Sequence, residues 1–245
     1  MRTSCLVRIF LRSLLIQSSF NFWRMQNLGF AFAIIPMIRQ GGGENGRASR
    51  ILIRHLQAFN THPYLSGPII GSVVKLEEEA GDSAEGREII EMKNTLMGPY
   101  AAIGDTFFWG AWRPFCMIPA VILAMEGFIL APLLFLIVYN TLHVWVRLKG
   151  FVEGYRRGKE GIHFVRGMSL PGLAGKIRWL SLIMLGIMMV LATRHMSGGL
   201  SSAPEIMISG LALATVLLCV WIKQKGVPTL LLLYGMAALL TLFSL

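Results

Sequence analysis

The side chains in this sequence that could do chemistry are few, and most stand inside or beside apolar runs: Gln26 and Asn27, the triplet Asn60-Thr61-His62, Asp105 and Glu126. Polar groups at membrane depth are costly unless they face a cavity or a partner, which makes each a candidate functional residue. The structural alternative is helix capping by Asn60 and Asp105, with Glu126 at headgroup level on a turn. Amides and carboxylates bridge neighbouring hydroxyl groups, and an indole such as Trp23 or Trp109 covers an apolar face, a combination suited to a polyhydroxylated solute.

Other chemistries lack their residues. Glu77, Glu78 and Glu79 are consecutive, so a helix turns each about 100° from the next and the carboxylates do not converge; a solvated acidic face is expected. His55 and His62 have no third ligand at metal-binding spacing, and Pro63 is expected to break a helix shared by them, so no metal site is expected. No GxGxxG, GxxxxGK[ST], GxSxG or HExxH occurs, leaving nucleotide binding and hydrolysis without a motif and no cofactor to expect. Gly41-Gly42-Gly43 reads as a linker. Cys5, Cys116 and Cys219 are too scattered for a disulfide framework or a zinc site.

The elements that must position these residues belong in a bilayer. Apolar residues make up 54% of the chain, charged residues 15%, and the mean hydropathy is +0.60, beyond what a soluble surface tolerates. The net charge of +10 comes from cations beside apolar segments with no aromatic-interleaved pattern, which fits anionic lipid headgroups and excludes nucleic acid. Eight of the thirteen acids fall between Arg39 and Lys93, the one stretch that reads as soluble protein. The expected fold is an all-α polytopic membrane protein in four parts. Residues 1–24 form an interfacial amphipathic helix, its leucine-rich run interrupted by Arg8 and Arg12 as no cleaved signal peptide would be. Residues 25–148 form a core of re-entrant or broken helices. It contains an amphipathic helix from Arg47 to Phe59, stopping near Pro63, and Gly-Pro pairs at Gly67-Pro68 and Gly98-Pro99 that mark discontinuous helices or ordinary helix starts. Its Cys116 to Val146 run, about 46 Å if helical, suits a hairpin or a broken helix around Glu126-Gly127. Residues 149–178 form a basic loop, cytoplasmic by the positive-inside rule. Residues 179–245 hold three transmembrane helices at Trp179–Thr193, Ile206–Ile222 and Val227–Leu245, which puts the C-terminus outside.

The runs FWRMQNLGFAFAIIPMIR (22 to 39), RHLQAFNTHPYLSGPIIGSVVKLEEE (54 to 79) and MGPYAAIGDTFFWGAWRP (97 to 114) resemble the IID component of the mannose/fructose/sorbose family of the sugar phosphotransferase system. The resemblance covers about Leu11 to about Gly161. It implies a subunit of a bacterial cytoplasmic membrane that pairs with a IIC subunit to form the translocator for a mannose-type hexose. Phosphate would be carried by IIA and IIB proteins, and this chain would be neither phosphorylated nor an enzyme. The sugar would lie at the IIC interface, with Gln26 and Asn60 as hydrogen-bonding residues, Thr61 as a lesser one, and His62 and Asp105 as framework. The assembly implied is a trimer of IIC/IID pairs. The sequence departs from the family pattern at Thr106, where proline is usual, and in a polar stretch cut to Arg194–Glu205. That shortening supports an alternative, a transport-inactive membrane anchor or regulatory partner for IIA and IIB.

Overall fold

The computed structural model describes residues 1–40, 46–80, 86–196, 203–228, 230, 231, 234 and 235. Among them the regular structure is entirely helical, joined by turns and irregular segments that carry two isolated bridges at Met25, to Asn21 and to Phe59. Helix α1 (Thr3–Ser13) turns Cys5 and Ile9 inward and leaves Val7 and Leu11 exposed. It packs on α2 (Asn27–Gln40), where a methyl group at Gly29 would lie 2.2 Å from the Ile16 carbonyl oxygen. Helix α3 (Arg47–His55) is the expected amphipathic helix but ends well before Pro63. The Leu56 carbonyl is taken by the Asn27 amide at 2.8 Å and by Arg24 at 3.2 Å, which draws the next residues into an irregular path.

The two Gly-Pro pairs behave differently. A 3₁₀ turn, Pro63–Leu65, leads into α4 (Ser66–Ala80), so Gly67-Pro68 lies in an ordinary first turn. At Gly98-Pro99 there is neither a break nor a start: α5 (Arg87–Gly104) runs through it, then through a π-helical stretch, Asp105–Trp112, into α6 (Arg113–Met125). Proline removes one backbone hydrogen bond, a loss that a long packed helix absorbs, and the irregularity falls instead on the wider π turns. A turn at Glu126-Gly127, with Gly127 at φ 85°, reverses the chain into α7 (Ala131–Arg157). The expected hairpin is therefore present, with Glu126 exposed at its tip.

The basic stretch from 149 to 178 is mostly helix, not loop. It contains the end of α7, a 3₁₀ segment (Gly158–Ile162), α8 (His163–Gly167) and the start of α9 (Leu170–Met196). Phe151, Val165, Leu170 and Ala174 within it are buried and tie it to the core. Helix α10 (Ala203–Gln224) holds the expected Ile206–Ile222 segment. The expected Val227–Leu245 crossing and the Gly41–Gly43 linker lie largely or wholly outside the described residues. Three helices among the described residues are long and apolar enough to cross a membrane: Arg87–Met125, Ala131–Gly161 and Leu170–Ala192.

The tightest helix pair is α4 on α7, and small residues make it so. A methyl group at Gly71 would lie 2.2 Å from the Phe151 carbonyl oxygen, and one at Gly154 would lie 2.3 Å from that of Pro68. Gly67 and Gly150 meet Arg147 and Pro68 as closely, at 2.5 and 2.6 Å. Each helix thus carries glycines four residues apart on the shared face, the arrangement that lets helices touch backbone to backbone in lipid. Outward-facing Leu133, Ile137, Leu180 and Ile183 are exposed, an apolar surface for lipid or a membrane partner.

Candidate functional site

The segments around Gln26 and Asn60 are zipped together by short-range polar contacts. Asn21 and Met25 exchange backbone hydrogen bonds of 3.0 and 2.9 Å. This tight turn holds Met25 at φ 55°, a left-handed conformation costly for a side chain of that kind. The turn delivers the Gln26 N–H to the Phe59 carbonyl at 2.8 Å. The Gln26 side chain is 1% exposed; its Nε2 donates to the Thr61 carbonyl at 2.7 Å, while its Oε1 accepts from the Thr61 N–H at 3.1 Å. The Thr61 backbone therefore engages one N–H and one lone pair of the Gln26 amide. Asn27 is likewise structural, since it bonds Leu56 and accepts from Asn21 at 2.9 Å.

What the zipper presents is a cavity of about 390 Å³ lined by Gln26, Asn60, Thr61, His62, Asp105 and Trp109, within the range of small-molecule sites, about 300–1,000 Å³. The residues singled out at Gln26, Asn60 and Thr61 thus share one wall, and Asp105 and Trp109 arrive from the π-helical stretch. Trp23, the other indole considered, is 86% exposed and lies elsewhere. Asn60 and Asp105 are exposed, their side chains have no hydrogen-bond partner among the described residues, and Asn60 caps no helix. The Thr61 hydroxyl and His62 Nε2 are buried without a partner.

His62 is seated from all sides. Its Nδ1 accepts the Tyr64 N–H at 3.2 Å, and its ring stacks on Phe108 at 5.3 Å and packs 4.7 Å from Trp109. A methyl group at Gly104 would lie 2.2 Å from the His62 Cβ, so only glycine admits the ring there. Burial, then the nearby Arg147 and His143, push the imidazole pKa below its ordinary value. Behind it, Tyr64 stacks on His143 at 4.0 Å, and Arg147 reaches the Ser13 carbonyl at 2.7 Å. These supporting residues were missed in the sequence, although His143 and Arg147 stand four apart in an apolar helix, a polar stripe at helical spacing.

The acidic and histidine residues elsewhere take other roles. The triplet at Glu77 is no solvated face: Glu77 is 2% exposed and bonds His55 Nε2 at 2.8 Å with Arg54 at 3.5 Å. Glu78 meets the N-terminal amine and the Tyr155 hydroxyl, and only Glu79 is exposed, paired with Lys75. The 100° turn per residue that keeps the three from converging also sends the first of them into the core. His55 and His62 are not brought together: one closes α3 against Glu77, the other precedes the 3₁₀ turn. Among the described residues no group of three His, Cys, Asp or Glu side chains is placed to hold a metal.

Membrane-length helices surround a polar cavity at a π-helical interruption, an arrangement of the class of polytopic α-helical membrane proteins. Over residues 1–245 the chain matches the PTS system mannose/fructose/sorbose family IID component. It belongs to that family and is a membrane subunit of a sugar phosphotransferase system. It is 33% identical to the fructose permease IID component of Bacillus subtilis (strain 168) over 246 aligned positions, 93% of this chain and 90% of that protein. It is 40% identical to the mannose-specific EIID component of Escherichia coli (strain K12) over 181 residues, 73% of this chain but only 64% of that longer protein. The fold resembles a subunit in the cryoEM structure of the mannose transporter ManYZ with microcin E492 (MceA), with a TM-score of 0.62, 32% identity, and 97% and 94% of the two chains covered.

Proposed function

We propose that this chain is the non-phosphorylated half of a hexose translocator in a bacterial cytoplasmic membrane, that it pairs with a IIC subunit, and that the cavity beside Asn60 is its share of the sugar site. Sugar in this reading is phosphorylated by IIA and IIB phosphocarriers, and three IIC/IID pairs assemble together. The carrying observation is the convergence of Asn60, Thr61, Asp105 and Trp109 on one cavity of about 390 Å³. Hydroxyl-binding groups lie beside an indole that can cover a sugar's apolar face. The cavity leaves Asn60 and Asp105 exposed, which suits a site completed by a second subunit. Gln26 serves as the strut that sets the Thr61 backbone, and Asn60 is the residue free to bond sugar. The mannose, fructose and sorbose specificities of the relatives point to a hexose of that group.

The test is uptake of labelled mannose, fructose and sorbose by cells carrying this chain with its IIC, IIA and IIB proteins and no other such system. Asn60→Ala is expected to leave the complex intact and to raise the half-saturating sugar concentration about tenfold, the value of one lost hydrogen bond of about 1.4 kcal/mol. Wild-type uptake by that variant would refute the site. A complex that assembles but transports none of the sugars would favour the anchoring role.

A further inference from the structure

Two neighbouring residues that line the cavity, Thr61 and His62, each have a buried side-chain atom without a partner, the Thr61 hydroxyl and His62 Nε2. Buried polar atoms are nearly always paired, because leaving one unmade costs much of its solvation. His62 is 1% exposed. Because Nδ1 accepts the Tyr64 N–H, the proton of the neutral ring resides on Nε2, which is a donor. The ring cannot swing away, since Phe108 stacks on it and Gly104 holds it close. The neighbour with room to move is Trp109, 40% exposed at the cavity rim.

We propose that His62, through its Nε2–H, donates a hydrogen bond to one sugar hydroxyl and sets which hydroxyl pattern the cavity accepts. The inference rests on the sugar-site reading above. A hydroxyl group suits the position because it accepts from Nε2–H and still has a proton to give, and Asp105 and Asn60 line the same cavity with free acceptor oxygens. The donor is fixed before the sugar arrives, so a sugar lacking that hydroxyl leaves Nε2 unpaired and is rejected. Trp109 turns aside to admit the sugar and closes over it.

Two substitutions separate donor from framework. His62→Asn keeps an oxygen where Nδ1 accepts the Tyr64 N–H and loses the donor at Nε2; His62→Gln keeps a donor at Nε2 reach and loses the acceptor. Binding of mannose and each of its monodeoxy analogues is measured calorimetrically on the purified complex with IIC. The wild type is expected to bind one analogue about tenfold more weakly than mannose. His62→Asn should weaken mannose about tenfold and abolish that one discrimination, and His62→Gln should retain it. The reverse pattern, Asn wild-type-like and Gln defective or unassembled, overturns the proposal and leaves His62 structural. Asn60→Ala runs alongside. If it weakens mannose while His62→Asn does not, only the His62 inference fails; if neither changes binding, the sugar-site reading itself fails.

Discussion

At the scale of single residues, the two polar side chains at the heart of the motifs do different work, and substitution separates them. Gln26 makes two buried hydrogen bonds to the Thr61 backbone, so Gln26→Ala strands a buried N–H and a buried carbonyl, at about 1–3 kcal/mol each. The complex is expected to melt several degrees lower and to lose sugar affinity indirectly, whereas Asn60→Ala, with no partner to strand, should lower affinity at an unchanged melting temperature. Equal melting temperatures for the two variants would show that the strut carries no stability. The histidines add a pH dependence. Burial pushes His55 and His62 below their ordinary pKa, the Glu77 bond opposing this for His55. Between the folded and unfolded values, of which the latter is about 6.5, the unfolded chain binds protons that the folded one refuses. Stability from these residues is therefore complete above about 6.5 and is lost as pH falls below it. Melting scans of the detergent-solubilised complex from neutral to mildly acidic pH should fall, and less steeply for His62→Asn; a flat wild-type profile would contradict the buried neutral rings.

At the scale of elements, the small-residue seam between α4 and α7 is the joint that places the 3₁₀ turn and His62 against the π-helical stretch. Gly154→Val puts a branched side chain where even a methyl group would lie 2.3 Å from a carbonyl oxygen, while Gly172→Val, with nothing within 4 Å, meets open space. The first is expected to abolish membrane accumulation of assembled complex and the second to leave it unchanged, as read by quantitative blotting of purified membranes. Lys93 on α5 is a second joint: fully buried, its Nζ without a hydrogen bond, 4.9 Å from the Phe30 ring and 5.5 Å from that of Phe59. Lys93→Met keeps the volume and removes a buried unpaired ammonium, so the melting temperature should hold or rise; a fall of many degrees would show that the cation–ring contacts outweigh desolvation. Much of this was legible beforehand, because helices, the hairpin at Glu126-Gly127 and the two polar motifs all rest on local patterning. What was hidden depends on contacts remote in sequence. Nothing near Gln26 says that its amide will bond a backbone 35 residues away, and nothing in Glu77-Glu78-Glu79 says which carboxylate meets His55. Gly98-Pro99 misleads for the same reason, since packing decides whether a proline ends a helix.

At the scale of the whole molecule, the arrangement of helix ends constrains the topology. Residues 86–89, before and at the start of α5, and residues 156–159, at the end of α7, line one cavity, so these ends share a face of the membrane while the Glu126-Gly127 turn marks the other. Helix α7 has 27 residues, about 40 Å of helix against a hydrocarbon core of about 30 Å, so its arginine-bearing end must emerge into water or headgroups. Lys149, Arg156, Arg157, Lys159, Arg166, Lys176 and Arg178 stand near or beyond that end against Glu153 and Glu160, and by the positive-inside rule that face is expected to be cytoplasmic. The turn with its exposed Phe128, Ile129 and Leu130 is then expected at the outer surface, with α9 running outward. With the expected Val227–Leu245 crossing, which lies largely outside the described residues, this threading predicts a C-terminus outside. In intact cells, a fluorescent-protein fusion after Gly175 should be bright, and alkaline phosphatase fusions after Ser201 and at Leu245 should be active. A cysteine placed at Ile129 should react with an impermeant maleimide added from outside. Bright fluorescence from a fusion at Leu245 would remove one crossing from the C-terminal part. Labelling of Ile129→Cys only after permeabilisation would invert the hairpin and overturn the threading.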